Sequence, residues 1–156
     1  MSKTITQLIE EFEALISYAR RLNEELDEQR WNEPIAEGKW TVKHILSHIL
    51  LWDRYFYEEG IAKIKKGEPL TLKHLDFDEF NAGAPVYASS RSKREVTEDL
   101  IQIRAAIIDA ISGLSEEEYS KVHTDGDGHP FTIRRYLEDF VPHDAHHRKQ
   151  IDTFLS

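Results

Sequence analysis

An all-α four-helix bundle with a long crossover between helices 2 and 3 is the fold this sequence predicts, on three observations. Apolar residues recur at three- and four-residue intervals in four separate stretches. Pro and Gly gather mostly between those stretches, and one intervening segment is far longer than a helix-to-helix turn requires. At 156 residues the chain has the length of one ordinary domain, expected to occupy 1–156, and it can bury a core without disulfides.

The first helix follows from Ile5, Leu8, Phe12, Leu15, Ala19, Leu22 and Leu26, with a Thr4-x-x-Gln7 capping box at its start and Pro34 just beyond its end near Trp31. Residues 31–40 are then a connection. The second opens at Thr41, a plausible N-cap, and buries Val42, Ile45, Leu46, Ile49, Trp52 and Phe56. Leu50, Leu51 and Tyr55 lie off that stripe, so the helix is expected to be covered on more than one side, in the bundle centre or by a second subunit. Between Gly60 and Arg91 the periodicity weakens, Gly67, Pro69, Gly83 and Pro85 punctuate a crossover, and a short turn of helix is expected near Asp76–Asn81. A crossover of that length permits a parallel neighbour.

The third helix starts with the capping box Ser92-x-x-Glu95 and carries Val96, Leu100, Ile103, Ile107, Ile111 and Leu114. The acidic, glycine-rich stretch that follows contains Asp125-Gly126-Asp127-Gly128, which reads as a turn. The remaining positions of a calcium loop do not follow, and Tyr136 stands where its bidentate Glu belongs. The fourth helix begins near Thr132, and Pro142 inside it is expected to remove one hydrogen bond and bend the axis.

Composition narrows the function. Lys and Arg number 20 against 29 Asp and Glu, a net charge of -9 that repels a phosphate backbone, so no nucleic acid partner is expected. No apolar run reaches the roughly 20 residues of a membrane span, and the amino terminus runs straight into an amphipathic pattern without a signal core, so a cytoplasmic protein is expected. Cysteine is absent, which leaves nitrogen and oxygen as the only metal ligands available.

Polar residues interrupt the buried stripe of the fourth helix. Ile133, Leu137, Phe140, Ile151 and Phe154 define the stripe; Asp144 and His147 fall on its line, and His143 lies one turn before His147 on the adjoining edge. Two imidazoles at i and i+4 converge on one point, although isolated pairs of this kind are more often buried histidines bonded to carboxylates. On the second helix His48 flanks the buried stripe and is positioned to face the pair, with His44 one turn earlier as the competing ligand. Three neutral nitrogens with an open position suit a catalytic ion better than a structural one. Asp144 and Gln150 are candidates to orient a ligand or the nucleophile. Among the aromatics, Trp40, Trp52, Tyr55, Phe56 and Tyr57 read first as core, with Trp52 the clearest case.

The segment Gly38-Lys39-Trp40-Thr41-Val42-Lys43-His44-Ile45-Leu46-Ser47-His48-Ile49-Leu50-Leu51-Trp52-Asp53, together with His143-Asp144-Ala145-His146-His147-Arg148-Lys149-Gln150-Ile151, resembles the DinB-like superfamily of DinB/YfiT-like metalloenzymes. The resemblance extends over nearly the whole chain; Lys149 departs from the glycine common at its position. It implies an up-down-down-up bundle, frequently a homodimer, with a divalent metal ion, nickel or zinc, held by His48, His143 and His147. It also implies a small-molecule substrate and, as in relatives that use bacillithiol or mycothiol, a low-molecular-weight thiol; other relatives are metal-dependent hydrolases. The crossover sequence Phe77-Asp78-Glu79-Phe80-Asn81-Ala82 resembles a branch that includes a cyclopropane hydrolase protecting against a genotoxin.

The expected function is therefore a metal-dependent enzyme, a thiol S-transferase or a hydrolase, that activates water or a thiol. The competing reading is a non-catalytic bundle that sequesters a small molecule or protects against a toxin. A di-iron carboxylate bundle is set aside, because the sequence contains no Glu-x-x-His motif.

Overall fold

Thr4 opens the first helix, α1 (Ile5–Glu25): its hydroxyl accepts the Gln7 N–H, and the Gln7 amide oxygen accepts the Thr4 N–H. The computed structural model describes residues 3–156. Met1 and Ser2, part of the stretch read as lacking an export signal, lie outside the described residues. Helix α1 stops earlier than its apolar pattern implies, because the Asp27 carboxylate accepts the Arg30 N–H and starts a separate turn, α2 (Glu28–Trp31). Thr41 caps α3 (Val42–Phe56), with His44 as its capping-box partner.

The second long helix does not end at Gly60. It passes through a π-helical turn, Tyr57–Ile61, into α4 (Ala62–Lys66) and closes at Gly67, whose φ of 72° is the left-handed cap a glycine supplies. Gly60 is a seat for the returning chain: a Cβ there would stand 2.8 Å from Leu72 Cδ1. The crossover therefore begins at Gly67. It holds α5 (Phe77–Asn81), capped by Asp76, and α6 (Gly83–Ala88), which the punctuation by Gly83 and Pro85 concealed. Pro85 sits in the first turn of α6, where no intrahelical donor is needed. Helix α6 packs on α3 and covers Leu50 and Leu51, so the second apolar side of α3 is covered within the chain itself.

Helix α7 (Lys93–Ile111) begins at the Ser92–Glu95 capping box, and α8 (Glu116–Ser120) follows. A short hairpin pairs β1 (His123–Thr124) with β2 (Pro130–Phe131) in antiparallel register, His123 opposite Phe131. Its loop uses the acidic residues as turn acceptors: Asp125 Oδ1 takes the N–H groups of Asp127 and His129, and Asp127 Oδ2 takes that of His74 at 2.6 Å. Helix α9 (Ile133–Leu155) runs through Pro142 without interruption.

Two core clusters fix the helix directions. One joins the end of α1 (Leu15 to Leu22), the start of α3 (Val42 to Leu50), the start of α7 (Val96, Leu100) and the end of α9 (Ile151). The other joins the start of α1, Ile61, the end of α7 (Ile107 to Ile111) and the start of α9. Thus α3 and α7 run parallel, α1 and α9 oppose them, and the order is up-down-down-up. Among the described residues no helix is long and apolar enough to cross a membrane.

The hairpin loop is tied to the crossover by the Gly126 N–H, which donates to the Leu72 carbonyl at 2.6 Å. A Cβ at Gly126 would lie 2.8 Å from that oxygen, a backbone atom that cannot swing aside. Gly126→Ala is expected to lower the thermal midpoint by about 2–5 °C; an unchanged midpoint in a calorimetric scan would show that this contact carries no stability.

Candidate metal centre

His48 comes from the middle of α3, and His143 and His147 from successive turns of α9 just after Pro142. The parallel-antiparallel packing brings the three rings together across the bundle. His143 Nε2 lies 3.3 Å from His48 Nε2 and 3.2 Å from His147 Nε2. The ring of Trp40 leans against His48 at 5.3 Å, and Phe140 meets His143 edge-on at 5.5 Å.

Hydrogen bonding alone does not account for this arrangement. His143 Nε2 has either one proton or one lone pair, yet it faces two other ring nitrogens at bonding distance. A cation at their centre would accept all three lone pairs, and nitrogens bonded at about 2.0–2.1 Å to a tetrahedral zinc lie ~3.3 Å apart. The other nitrogen of His147 is 2.9 Å from Gln150 Oε1; it donates there, which leaves the His147 Nε2 lone pair directed inward. The Nδ1 atoms of His48 and His143 are buried without a partner among the described residues. The three side chains could hold a divalent metal ion.

Electrostatics keeps the rings neutral. Burial pushes His48 down to about 3, helped by His147 and His143 and opposed by the Asn81 amide. Burial also takes His143 down to about 4 and lowers His147, where the Gln150 bond works in the opposite direction. Imidazoles with folded values below 6.5 bind fewer protons than the unfolded chain does as the pH falls, so their stabilisation is complete above 6.5 and is lost toward 4 and 3. Metal-free protein is expected to lose about 5–10 °C of thermal midpoint between pH 7.5 and 5 relative to a His48→Gln, His143→Gln, His147→Gln variant. Parallel pH profiles for the two proteins would refute that origin.

The competing and second-rank candidates separate clearly. His44 is occupied at the helix start, its Nδ1 3.5 Å from the Thr41 N–H and its own N–H on Thr41 Oγ1. His146 is exposed. Gln150 touches His147, whereas Asp144 makes no hydrogen bond to any of the three rings. Its carboxylate is bound instead by a residue the sequence reading missed, Arg104 of α7. Arg104 is fully buried: Nη1 donates to Asp144 Oδ2 at 2.6 Å and to the Phe12 carbonyl at 2.9 Å, while Nε and Nη2 hold both oxygens of Asp53 at 2.7 and 2.9 Å. Two carboxylates against one guanidinium leave the cluster at -1; burial pushes Asp53 up to about 6 against the pull of Arg104, with Asp144 adding to the rise. The Tyr136 hydroxyl is buried without a partner among the described residues, and burial followed by the Asp53 charge raises its pKa.

Two cavities flank the imidazoles. One, about 380 Å³, opens beside His48 and His143 and includes Trp52, so that tryptophan is both core and wall. The other, about 270 Å³, borders His147 and Gln150 and includes Lys39 and Trp40.

Solved structures share this fold. The Bacillus subtilis protein YfiT, described as a probable metal-dependent hydrolase with an unusual four-helix bundle topology, superposes with a TM-score of 0.74 at 14% identity over 98% of this chain and 88% of its own. A DinB-like protein from Bacillus cereus ATCC 10987 gives a TM-score of 0.65 at 16% identity, over 99% of this chain and 93% of its own. The mycothiol-dependent maleylpyruvate isomerase gives 0.63 at 15% identity; 96% of this chain is covered but only 58% of that protein's. No curated protein matches the chain in sequence. The sequence profile of the DinB superfamily matches residues 11–151, and the chain belongs to that superfamily.

Proposed function

We propose that the protein is a metal-dependent enzyme in which His48, His143 and His147 hold a divalent ion, nickel or zinc, and that it activates water or a low-molecular-weight thiol toward a small-molecule substrate. The observation that carries this reading is the facing of three Nε2 atoms, two of them at 3.2–3.3 Å from the third, with no proton arrangement that satisfies them all. When bound, such an ion supplies positive charge that lowers the pKa of water or of a thiol toward neutrality.

The chain's own residues prepare the site. Burial holds the three rings neutral, so their lone pairs are available at physiological pH. Gln150 accepts the His147 Nδ1 proton and so fixes which nitrogen faces the centre. Lys39, at the second cavity, adds a positive charge suited to an anionic co-substrate such as a carboxylated thiol. A probable hydrolase and a thiol-dependent isomerase share the fold, which supports both branches of the reading.

Metal analysis of protein purified without a histidine tag, followed by thiol-conjugation and hydrolysis assays with small electrophiles, tests the proposal. Close to one ion per chain and metal-dependent turnover are expected; a protein that binds no divalent ion on titration overturns it. Gln150→Ala is expected to weaken metal binding about 10- to 100-fold without loss of folding. Unchanged affinity would mean that the Gln150 bond does not orient the ligand.

A further inference from the structure

The cavity of about 380 Å³ lies toward the lower end of the ~300–1,000 Å³ range of small-molecule sites, and half of its lining residues are Trp or Phe. Trp52, Phe56, Phe77 and Phe140 surround it, with His48 and His143 at one side. Trp52 meets Phe77 edge-to-face at 5.7 Å, and Phe56 meets Phe140 in the same way at 4.9 Å. Flat rings of this kind favour a flat conjugated guest over a puckered aliphatic one of equal volume by about 2- to 10-fold per ring contact.

Core packing does not explain the whole set. Phe77 is 58% exposed although it borders the cavity, and an aromatic so placed gains burial only when something fills the space beside it. Asn81, on the same short helix, gives its Oδ1 to the Trp52 Nε1–H at 2.8 Å. That bond fixes the amide plane at the cavity edge, where the Asn81 side chain also lies beside the His48 ring, so the edge carries a positioned amide with an N–H donor. No Lys or Arg lines the cavity, while the Asp139 carboxylate stands at its rim on a chain of net charge -9. An anionic guest is therefore disfavoured on this side of the imidazoles.

We propose that the compound brought to the three imidazoles is a neutral, flat, conjugated molecule of one or two rings, with an oxygen that accepts from Asn81 Nδ2. Its role as the substrate rests on the metal-enzyme reading above; its binding does not. Thiol or water then approaches from elsewhere, and the second cavity beside Lys39 is the side whose charge suits a thiol anion.

Calorimetric titration of the full chain with three probes tests the proposal: 2-naphthamide, cyclohexanecarboxamide and 2-naphthoate, the last used with metal-free protein only. The expected result is 2-naphthamide binding at least 10-fold tighter than either comparison probe. Phe77→Ala and Asn81→Asp should each weaken 2-naphthamide about 5- to 10-fold, with thermal midpoint unchanged in both and metal occupancy unchanged in Phe77→Ala. Phe77 is largely exposed and aspartate can still accept from Trp52, so both variants keep the fold. Equal affinity for the aromatic and cyclohexyl amides, tighter binding of the naphthoate, or full affinity in both variants overturns the proposal. Selectivity persisting in a protein that binds no metal would overturn the enzyme reading and leave this one standing; a metal-loaded protein without selectivity would do the reverse.

Discussion

Replacing His143 by alanine is expected to lower affinity for a divalent ion by at least about 100-fold. This is the ring whose Nε2 makes both short approaches, to His48 and to His147, so its loss leaves two imidazoles without a shared neighbour. Loss of an outer partner already costs about 10- to 100-fold at metal sites, and a direct ligand costs more. Competition with a chromophoric chelator measures the effect. His44→Ala and His146→Ala serve as controls that keep their affinity, because the first ring caps α3 and the second faces solvent. Affinity within threefold of the parent in His143→Ala would remove this ring from the centre; a collapse in His44→Ala would place the α3 ligand one turn too late.

Arg104→Met is expected to destabilise the fold by about 3–5 kcal/mol, which lowers the thermal midpoint by roughly 10–15 °C. The substitution is nearly matched in volume, yet it leaves two buried carboxylates and the Phe12 carbonyl without their common donor. The loss is a stranded charge more than a lost attraction. Adding Asp53→Leu and Asp144→Leu is therefore expected to recover most of the midpoint, since an apolar replacement of a whole buried ion cluster is often neutral or better. A triple variant no more stable than Arg104→Met would refute that account. The triple variant also bears on the centre, because Asp144 lies between His143 and His147 on α9 and Arg104 restrains that stretch of helix.

Features decided within a few residues were legible in the sequence. The capping boxes at Thr4 and Ser92 are three-residue relationships that spacing alone determines, and one helical turn puts His143 and His147 on neighbouring positions without saying what they do. His48 follows from its place beside the buried stripe of the second helix, with His44 as its rival; the superfamily resemblance singles out His48, and the structure sets its ring among the other two. Where two elements compete for one short segment the reading failed. The Asp27 cap divides a continuous apolar pattern, and Gly60, where the periodicity weakens, is a contact point for Leu72 inside a continuing helix. Helix α6 was hidden because Gly83 and Pro85 are breakers in general and permissible in a first turn.

Arg104 is the instructive omission. The buried stripe of α7 steps from Leu100 to Ile107 through position 104, and that of α3 steps from Ile49 to Phe56 through Asp53, so two charges stood on apolar lines in plain view. Asp144 interrupts the α9 stripe in the same way and suggests a partner for the histidines, because no rule of spacing connects charges on three different helices. Their closeness follows from tertiary packing alone.

Because α3 and α7 point the same way, the polypeptide must travel back along the bundle between them, and the returning stretch from Gly67 to Arg91 supplies Phe77 and Asn81 to the mouth of the aromatic cavity. Two groups at that cavity are thus borne on a strap, while Trp52, Phe56, Phe140 and the imidazoles belong to the frame. Sequence drift in the strap changes one wall of the cavity and leaves the three imidazoles untouched, which makes this passage an exchangeable cassette.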